Sequence, residues 1–378
     1  MKKSFAGVDK FFLSIVITLL TIGILFFTSA SFGILAKNPG KFYNVLINQF
    51  ALGLLGGFIL LYLFQRIPYI YWRKYAFYIF IGAILLTAAV FIPGLGFSHG
   101  GAMRWLSLGP VSFQPAEVLK IAFVIYFAGW LSWMKSKAQD MRFSIIPLII
   151  MLGIIAAVLF HQPDTKSFIL MTVAALAMLI IYGISWKQLF MFGLIVCIAL
   201  GGLLMAKPYL RDRLMTFIDP SRDNLGSSYQ LQQSLIAIGS GGVAGRGIGQ
   251  SVQKFSYLPE PQGDSIFAVI GEEVGFVGTT IIIILYVLFA LRGLRIGHNA
   301  PDDFARLLVV GLVVLFTAQS FLNIASITGL FPLTGVPLIF ISHGGTSLAI
   351  TLAAIGIILN VSKYNNSPKI AGKKTAKV

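Results

Sequence analysis

Three acidic residues stand where a long polar segment gives way to an apolar run. Asp264 closes the polar segment, and Glu272 and Glu273 follow inside the run. A carboxylate at a membrane boundary carries a desolvation cost, so its presence there suggests a functional role. A carboxylate beside a hydroxyl group can accept its proton as a general base. Asp264 also fits the N-cap of the next helix, and the two glutamates fit hydrogen bonding inside a helix bundle.

Glu117 and Lys120 form a second group at the start of another apolar run. Their spacing of three residues places both side chains on one face of a helix. A structural ion pair that fixes helix packing is one interpretation. The other is that Lys120 binds an anionic substrate while Glu117 holds it in place. Arg104 and Gln114, in the preceding polar segment, could reach the same region.

Asp164 and Lys166 form the third group, which follows Pro163. Proline suits the opening of a helix, and an acid in the first turn complements the helix dipole. Helix capping alone therefore explains Asp164. The alternative is a second carboxylate that joins Asp264 in holding a cation or a hydroxyl group.

The composition places these groups in a membrane protein. Of 378 residues, 57% are hydrophobic and only 11% are charged, whereas a soluble domain carries about 25% charged residues. The net charge of +16 is spread over short segments between apolar runs. That distribution is typical of loops beside anionic membrane lipids, and no nucleic-acid-binding module accompanies it. We therefore expect membrane lipids, and not nucleic acid, as partners.

Ten apolar runs are long enough to cross a bilayer, which needs about 20 residues per helix. The sequence therefore predicts an all-α polytopic membrane protein, with one domain over residues 1–362 and a basic, disordered tail over 363–378. The predicted spans are 11–34, 44–65, 75–93, 114–133, 144–161, 166–183, 186–206, 266–291, 305–328 and 342–361.

The distribution of Lys and Arg predicts the orientation of these spans. Basic residues precede the first span, follow the second, fourth and sixth, separate the eighth from the ninth, and fill the tail. Because cytoplasmic loops are rich in Lys and Arg, both termini are expected in the cytoplasm. The large segment 207–265, between the seventh and eighth spans, then lies outside. Within it, residues 229–238 have the pattern of an amphipathic helix.

Several sequence blocks resemble one known family. They are residues 104–120, which include Leu108-Gly109-Pro110-Val111-Ser112, then 217–220, 228–230, 233–239, 251–273 and 341–347. With these blocks the chain resembles the SEDS (shape, elongation, division and sporulation) proteins over nearly its whole length. The sequence at 108–112 and at Gln253-Lys254 favours the cell-division branch of the family over the elongation branch.

The resemblance implies a ten-span peptidoglycan glycosyltransferase of the bacterial cytoplasmic membrane. Such an enzyme polymerises lipid II at the outer face, together with a class B penicillin-binding protein (the transpeptidase) and other divisome proteins. The essential aspartate of the family falls on Asp264, although Gln262 and Gly263 replace the usual His-Thr before it. Asp164 matches a second family aspartate, and Lys166 adds a cation beside it that the usual wording lacks.

These residues suggest a division of roles. Asp264 is assigned as general base, and Lys120 and Arg104 as contacts to the leaving diphosphate. Glu117 would orient Lys120, and Gln114 would contribute to substrate binding. A divalent cation, Mg²⁺ or Mn²⁺, is expected to assist, with Asp264 and Asp164 as its possible ligands.

Two rival functions remain open at the level of sequence. A flippase that moves lipid II across the bilayer would also need ten spans and intramembrane charges, but its substrate contacts would continue toward the cytoplasm. A non-catalytic scaffold for division proteins is the other rival, because the residues before Asp264 depart from the family wording.

Overall fold

The computed structural model describes residues 7–99, 102–108, 111–134, 141–219 and 226–365. Helices dominate these ranges, and three short strands accompany them. The helices are α1 (Lys10–Lys37), α2 (Pro39–Ile47), a π-helix (Asn48–Gly56), α3 (Gly57–Arg66), α4 (Tyr69–Ala88), a 3₁₀ turn (Ala89–Phe91), α5 (Pro115–Trp133), α6 (Met141–Leu159), α7 (Thr165–Tyr182), α8 (Trp186–Ala206), α9 (Pro208–Ile218), α10 (Ser227–Gly241), α11 (Gln253–Ser256), α12 (Ile266–His298), α13 (Asp303–Ile327) and α14 (Gly345–Ser362). The strands are β1 (Gly96–His99), β2 (Ala102–Leu108) and β3 (Val111–Phe113).

Each predicted span corresponds to a helical segment. Among the described residues, nine helical segments are long and apolar enough to cross a membrane, and α6 adds a shorter apolar run at 143–159. The predicted all-α membrane fold is therefore confirmed. The most enclosed spans are α5, α13 and α14, for which 72%, 72% and 83% of the apolar window is buried. These three helices form the centre of the bundle, and the spans around them turn apolar faces outward.

Among the described residues, a small antiparallel sheet interrupts the otherwise helical chain. Its order is β1-β2-β3, with Phe97 opposite Trp105 and Ser107 opposite Ser112. It occupies the polar segment between α4 and α5, which the sequence predicted only as a loop. The sheet holds Arg104 and Trp105 over the start of α5.

The second span contains a π-helical stretch at 48–56. It packs closely against α14, since a Cβ on Gly53 would lie 3.1 Å from Gly345, and α3 continues this contact, since a Cβ on Gly57 would lie 2.5 Å from Leu352. The buried side chain of Gln49 accepts a hydrogen bond from the Gly344 amide at 3.0 Å. The π-helix therefore caps the start of α14, and π-helical turns are frequent at functional sites.

The eighth span is broken at Gly275, whose φ of 63° and ψ of −162° are non-helical. The break frees backbone groups on both sides, and the segment 242–247 pairs with them. The Arg246 amide donates to Glu272 O at 3.0 Å, and the Phe276 amide donates to Gly242 O at 2.9 Å. Backbone groups at membrane depth need such partners. These backbone hydrogen bonds therefore attach the polar segment to α12.

Helix α10 confirms the predicted amphipathic helix at 229–238 and packs against the first part of α12. A Cβ on Gly271 would lie 3.0 Å from Ile238 Cγ1, and Leu231 is buried. Together with α9 and α11, α10 shows that the polar segment between spans seven and eight is folded where it is described.

The connection from α13 to α14 is irregular yet buried, and it begins the last span at Gly345 where the sequence predicted residue 342. Side chains of neighbouring helices donate hydrogen bonds to its backbone carbonyls. Asn323 Nδ2 donates to Val336 O at 2.6 Å, and the Tyr286 hydroxyl donates to Ile339 O. This placement brings Gly335 beside Asp264.

Several sequence predictions fall outside the described ranges. They concern Lys2 and Lys3 before the first span, Gly109 and Pro110 of the family wording, Lys135 and Lys137 after the fourth span, Pro220, and the tail from residue 366 onward.

Candidate functional site

A cavity of about 510 Å³ lies among the π-helix, the sheet, α5 and the connection before α14. The sheet contributes Phe97 and Trp105, and the end of the polar segment 207–265 contributes Glu260, Gly263 and Asp264, so the cavity lies at the end of the bundle that carries this segment. Its polar lining includes Asn48, Gln114, Glu117, Lys166, Glu260, Asp264, Gln319, Ser342, His343 and Ser347. A cleft with an apolar wall and a few convergent polar groups is the usual form of a binding site.

Asp264 lies on the wall of this cavity and is half-buried. The Gln230 side chain donates to Asp264 Oδ1 at 3.2 Å and to Ser265 Oγ at 2.9 Å. The Asn323 side chain donates through Nδ2 to the backbone carbonyl of Asp264 at 2.7 Å. Helices α10 and α13 therefore hold the backbone and the carboxylate of Asp264 from two sides.

The surroundings of Asp264 change its acidity. Burial raises the pKa of the Asp264 carboxyl above its ordinary value, and the nearby Glu260 carboxylate raises it further. The Lys166 ammonium and the Gln230 hydrogen bond act in the opposite direction. A carboxylate whose pKa is raised by desolvation is a stronger base than a solvated one, which suits proton abstraction.

Glu117 and Lys120 form the ion pair that their spacing predicts. Lys120 Nζ lies 3.0 Å from Glu117 Oε1 and donates to Gln319 Oε1 at 2.8 Å. The Ser347 hydroxyl donates to Glu117 Oε2 at 2.9 Å. Glu117 reaches the cavity wall, whereas Lys120 is buried behind it and joins α5 to α13. The pair therefore connects three central helices at the base of the site.

Asp164, Gln114 and Arg104 stabilise the turn before α7. Asp164 is fully buried and accepts from the Ser167 hydroxyl at 2.8 Å and the Ser167 amide at 3.4 Å, as an N-cap does. Gln114 Nε2 lies 3.5 Å from Asp164 Oδ2. The Arg104 guanidinium donates to the carbonyls of Gln162 and Pro163. Of these three residues, Gln114 lines the cavity.

Lys166 follows this turn and reaches the cavity itself. Its ammonium donates to the carbonyl of Gly335. A Cβ on Gly335 would lie 3.4 Å from Asp264 Oδ2. Lys166 and Asp264 therefore approach the same glycine from two elements that are far apart in the sequence.

Glu272 and Glu273 bond within the protein and do not line the cavity, as expected for bundle glutamates. Glu272 accepts from the Ser251 hydroxyl at 2.6 Å and from the Val252 amide at 3.1 Å. Glu273 forms a buried ion pair of 2.8 Å with Lys254. These contacts fasten the polar segment to α12 just before the break at Gly275.

The residues on the cavity wall fit a divalent cation that is shared with a phosphate ligand. Within the described ranges, no three His, Cys, Asp or Glu side chains cluster as a metal site. Mg²⁺ is usually held by one or two carboxylates together with substrate phosphates. Asp264 and Glu260 are both on the cavity wall, whereas Asp164 is buried away from it with both oxygens in contact with protein groups.

Sequence reasoning missed four polar residues that position the site: Gln230, Glu260, Gln319 and Asn323. Gln319 and Asn323 lie four residues apart in an otherwise apolar helix, and such intramembrane polar residues face the bundle interior. That spacing could have identified them. Glu260 lies four residues before Asp264 in a turn, and nothing in the sequence indicated that both would face one cavity.

The chain matches the family described as "Cell cycle protein" (FtsW, RodA and SpoVE) over residues 10–367. It is 35% identical over 359 residues to stage V sporulation protein E of Bacillus subtilis, covering 94% of this chain and 97% of that protein. It is 36% identical over 354 residues to a protein of Geobacter sulfurreducens named "Probable peptidoglycan glycosyltransferase FtsW", covering 94% and 95%.

Two solved structures share the fold. One is a chain from work described as "Structural coordination of polymerization and crosslinking by a peptidoglycan synthase complex", with a TM-score of 0.77, 24% identity, and coverage of 96% of this chain and 99% of that chain. The other is the rod shape determining protein RodA of Thermus thermophilus, with a TM-score of 0.69, 23% identity, and coverage of 96% and 98%. The chain is thus a multi-pass membrane protein that belongs to the FtsW/RodA/SpoVE family.

Proposed function

We propose that the protein is a peptidoglycan glycosyltransferase that polymerises lipid II at the outer face of the bacterial cytoplasmic membrane during cell division. The observation that carries this proposal is the carboxylate of Asp264 on the wall of a polar cavity at one end of the bundle. The names of the relatives supply the reaction class.

The reaction needs a base at this position. An acceptor sugar hydroxyl attacks an anomeric carbon, the new C–O bond forms as the bond to the lipid diphosphate breaks, and the configuration inverts. The hydroxyl proton passes to Asp264, and the electron pair of the broken bond leaves with the diphosphate. General-base catalysis of this kind contributes about 10²–10⁴ in rate.

Negative charge builds up on the leaving diphosphate, and a cation stabilises it. A bound Mg²⁺ or Mn²⁺ would supply Lewis-acid stabilisation of that oxygen charge. Asp264 and Glu260 are the carboxylates that would hold it. Asp164, which the sequence also suggested, fits the role of a cap that positions the start of α7 better.

The contacts of Lys120 and Arg104 favour positioning roles over direct contact with the substrate. Lys120 is buried between Glu117 and Gln319. Arg104 spans from β2 to the turn before α7. Gln114 and Glu117 lie on the cavity wall and are the better candidates for contact with the sugar hydroxyls.

The rival functions make different use of the two ends of the bundle. Away from the cavity, polar side chains pair with each other: Arg292 with Asp9 at 2.7 Å, and Tyr69 with Asp302 at 2.8 Å. A flippase would need substrate contacts there, so these closed pairs favour the polymerase. The cavity carboxylates favour an enzyme over a scaffold.

The proposed setting is the division machinery. The partners would be a class B penicillin-binding protein and other divisome proteins, with both termini of this chain in the cytoplasm. The first partner is supported by the structural neighbour whose description couples polymerization and crosslinking in one peptidoglycan synthase complex.

One assay tests the function. Purified protein, with and without its transpeptidase, is given lipid II and Mg²⁺ or Mn²⁺, and glycan chains are separated on a gel. We expect polymer from the parent and none from Asp264→Asn. Polymer from that variant at the parental rate would remove the proposed base, and movement of lipid II in vesicles without polymer would support a flippase.

A further inference from the structure

Lys166 holds an unusual position among the charged groups of the cavity. Of the described residues that line it, Lys166 is the only Lys or Arg. Three carboxylates share the wall: Glu117, Glu260 and Asp264. The charge of Glu117 is offset by Lys120 behind it. The remaining wall therefore carries two carboxylates and one ammonium group.

The two carboxylates on the wall would repel an anionic ligand unless the Lys166 ammonium faces that ligand. Across the described ranges, Lys166 has no carboxylate within salt-bridge distance. Among the residues that the structure describes, its ammonium donates a hydrogen bond to one backbone carbonyl, that of Gly335. A lysine ammonium has three donors, so Lys166 retains capacity to donate to a further acceptor inside the cavity.

Gly335 determines where in the cavity the Lys166 ammonium can donate these further hydrogen bonds. Its φ of +64° favours glycine, and a Cβ there would lie 3.4 Å from Asp264 Oδ2. The Arg213 guanidinium also lies near Gly335, with Nη2 4.0 Å from the same Cβ position and Nη1 donating to Leu333 O at 3.1 Å. The irregular connection therefore presents Lys166 next to the proposed base without a bulky side chain between them.

We infer that Lys166 is a substrate-binding residue that donates to the diphosphate of the lipid-linked sugar, and that its charge replaces part of the stabilisation otherwise supplied by a divalent cation. This inference rests on the proposed function, since it names the group of the substrate that Lys166 recognises. A built-in ammonium lowers the repulsion between the diphosphate and the two cavity carboxylates, so the metal is needed less for binding.

A purely structural role is the alternative. Lys166 could serve only to fasten α7 to the connection at Gly335, in which case its loss would weaken binding of every ligand in the cavity alike. The number of phosphates on the ligand separates the two roles, because only the diphosphate role depends on ligand charge.

The binding experiment uses farnesyl diphosphate, farnesyl monophosphate and farnesol as probes of the intact detergent-solubilised protein, without metal. Affinities are measured by displacement of a fluorescent lipid for the parent, Lys166→Met and Lys166→Arg. The control is Lys187→Met, which removes an exposed lysine at the start of α8. A hydrogen bond to a charged group corresponds to roughly 10- to 100-fold in affinity.

We expect Lys166→Met to lose about that factor for the diphosphate and far less for farnesol, while Lys166→Arg and Lys187→Met stay near the parent. Equal affinity of Lys166→Met and the parent for the diphosphate would overturn the inference. An equal loss for all three probes would also overturn it, because that result indicates a structural role.

A second readout is the metal dependence of polymerisation. The parent and Lys166→Met are titrated with Mn²⁺, and we expect the half-saturating concentration to rise by about 10-fold in the variant. An unchanged titration overturns the metal part of the inference. If the parent makes no polymer at all, the proposed function fails, and the probe affinities still decide whether Lys166 binds a diphosphate.

Discussion

At the scale of single residues, Asp264 combines a functional advantage with a cost in stability. Its pKa is raised in the folded protein by burial and by Glu260. Because the folded-state pKa exceeds the unfolded value, ionisation of Asp264 lowers the free energy of unfolding as the pH rises through that range. Wherever Asp264 is ionised, its carboxylate is therefore held at the expense of stability, as is common where function requires a charge.

Asp264→Asn should separate these two effects. The amide keeps the shape of the side chain and removes the buried charge. We expect loss of polymerisation by at least about 10²-fold, together with an unchanged or higher midpoint of thermal unfolding in detergent at pH 7. A variant that is inactive because it unfolds at a lower temperature would contradict this prediction.

The pH dependence of polymerisation should follow the neighbours of Asp264. A general base must be deprotonated, so the rate rises with pH through the pKa of Asp264. Lys166 lowers that pKa and Glu260 raises it. The acidic limb of the pH–rate profile should thus move to higher pH in Lys166→Met and to lower pH in Glu260→Gln. Shifts in the same direction in both variants would contradict the assignment of the base.

Glu117 and Lys120 should behave as one unit in stability measurements. Removal of one partner leaves a buried charge and costs about 3–5 kcal/mol, whereas removal of both is much less costly. We expect Lys120→Met to be strongly destabilised, and Glu117→Gln/Lys120→Met to recover most of the loss in thermal unfolding. Additive losses in the double variant would mean that the pair does not interact.

Local sequence patterns predict some of the contacts in this site and miss others. Glu117 and Lys120 were paired correctly because helical spacing is local. The helix cap predicted for Asp164 is confirmed, whereas the alternative, a second carboxylate that joins Asp264 at a cation, stays a prediction. Gly335 reaches Asp264 through the packing of separate elements, which local patterns do not encode. Glu260 is close to Asp264 in the sequence, but its direction toward the cavity depends on how the intervening turn folds.

At the scale of elements, the break in α12 determines where the site-bearing segment is attached. Gly275 has a backbone conformation that only glycine adopts readily. A Cβ there would lie 2.4 Å from Gly245 N and 2.7 Å from Val243 O. The first part of α12 starts at Ile266, two residues after Asp264, so the geometry of this break affects the position of the base.

Gly275→Ala should therefore disrupt both folding and activity. The added methyl group meets backbone atoms that cannot move without breaking the exchange between 242–247 and α12. We expect a loss of several kcal/mol in stability, seen as a lower unfolding midpoint and reduced polymerisation. Gly82→Ala in α4, where a Cβ meets nothing within 4 Å, is the matched control. Equal midpoints for the two variants would contradict the structural role of the break.

Helix ends were predicted to within a few residues for most spans, because apolar length and basic flanks are encoded locally. The features missed at this scale were the sheet before α5, the π-helix in the second span and the break at Gly275. Each depends on contacts with another element: the π-helix packs against α14, and the break pairs with the segment at 242–247.

At the scale of the whole molecule, the two ends of the bundle differ in organisation. The end with the cavity carries the sheet, the polar segment 207–265 and charged groups directed into one space. The other end carries the Asp9–Arg292 pair, and the Asn360 side chain accepts from the Tyr69 amide at 2.9 Å. This asymmetry suits a substrate that is used on one side and does not pass through.

The orientation of these ends can be tested across one helix. The part of α12 after the break, 276–298, is about 35 Å long at 1.5 Å per residue, which is enough to cross a bilayer. Val243 lies at its first end, because the Val277 amide donates to Val243 O at 3.2 Å. His298 lies at its last end, near the basic residues Arg292 and Arg295. Because cytoplasmic ends are rich in Lys and Arg, this charge predicts that the His298 end faces the cytoplasm.

In a Cys197→Ala background, Val243→Cys and His298→Cys each introduce one thiol at an exposed position. We expect a membrane-impermeant maleimide to label Val243→Cys in spheroplasts and His298→Cys only after lysis. A permeant maleimide, which should label both before lysis, controls for accessibility. The reversed pattern would place Asp264 and its cavity on the cytoplasmic side, where polymerisation of an exported lipid-linked sugar is impossible, so this experiment also tests the physical setting of the proposed reaction.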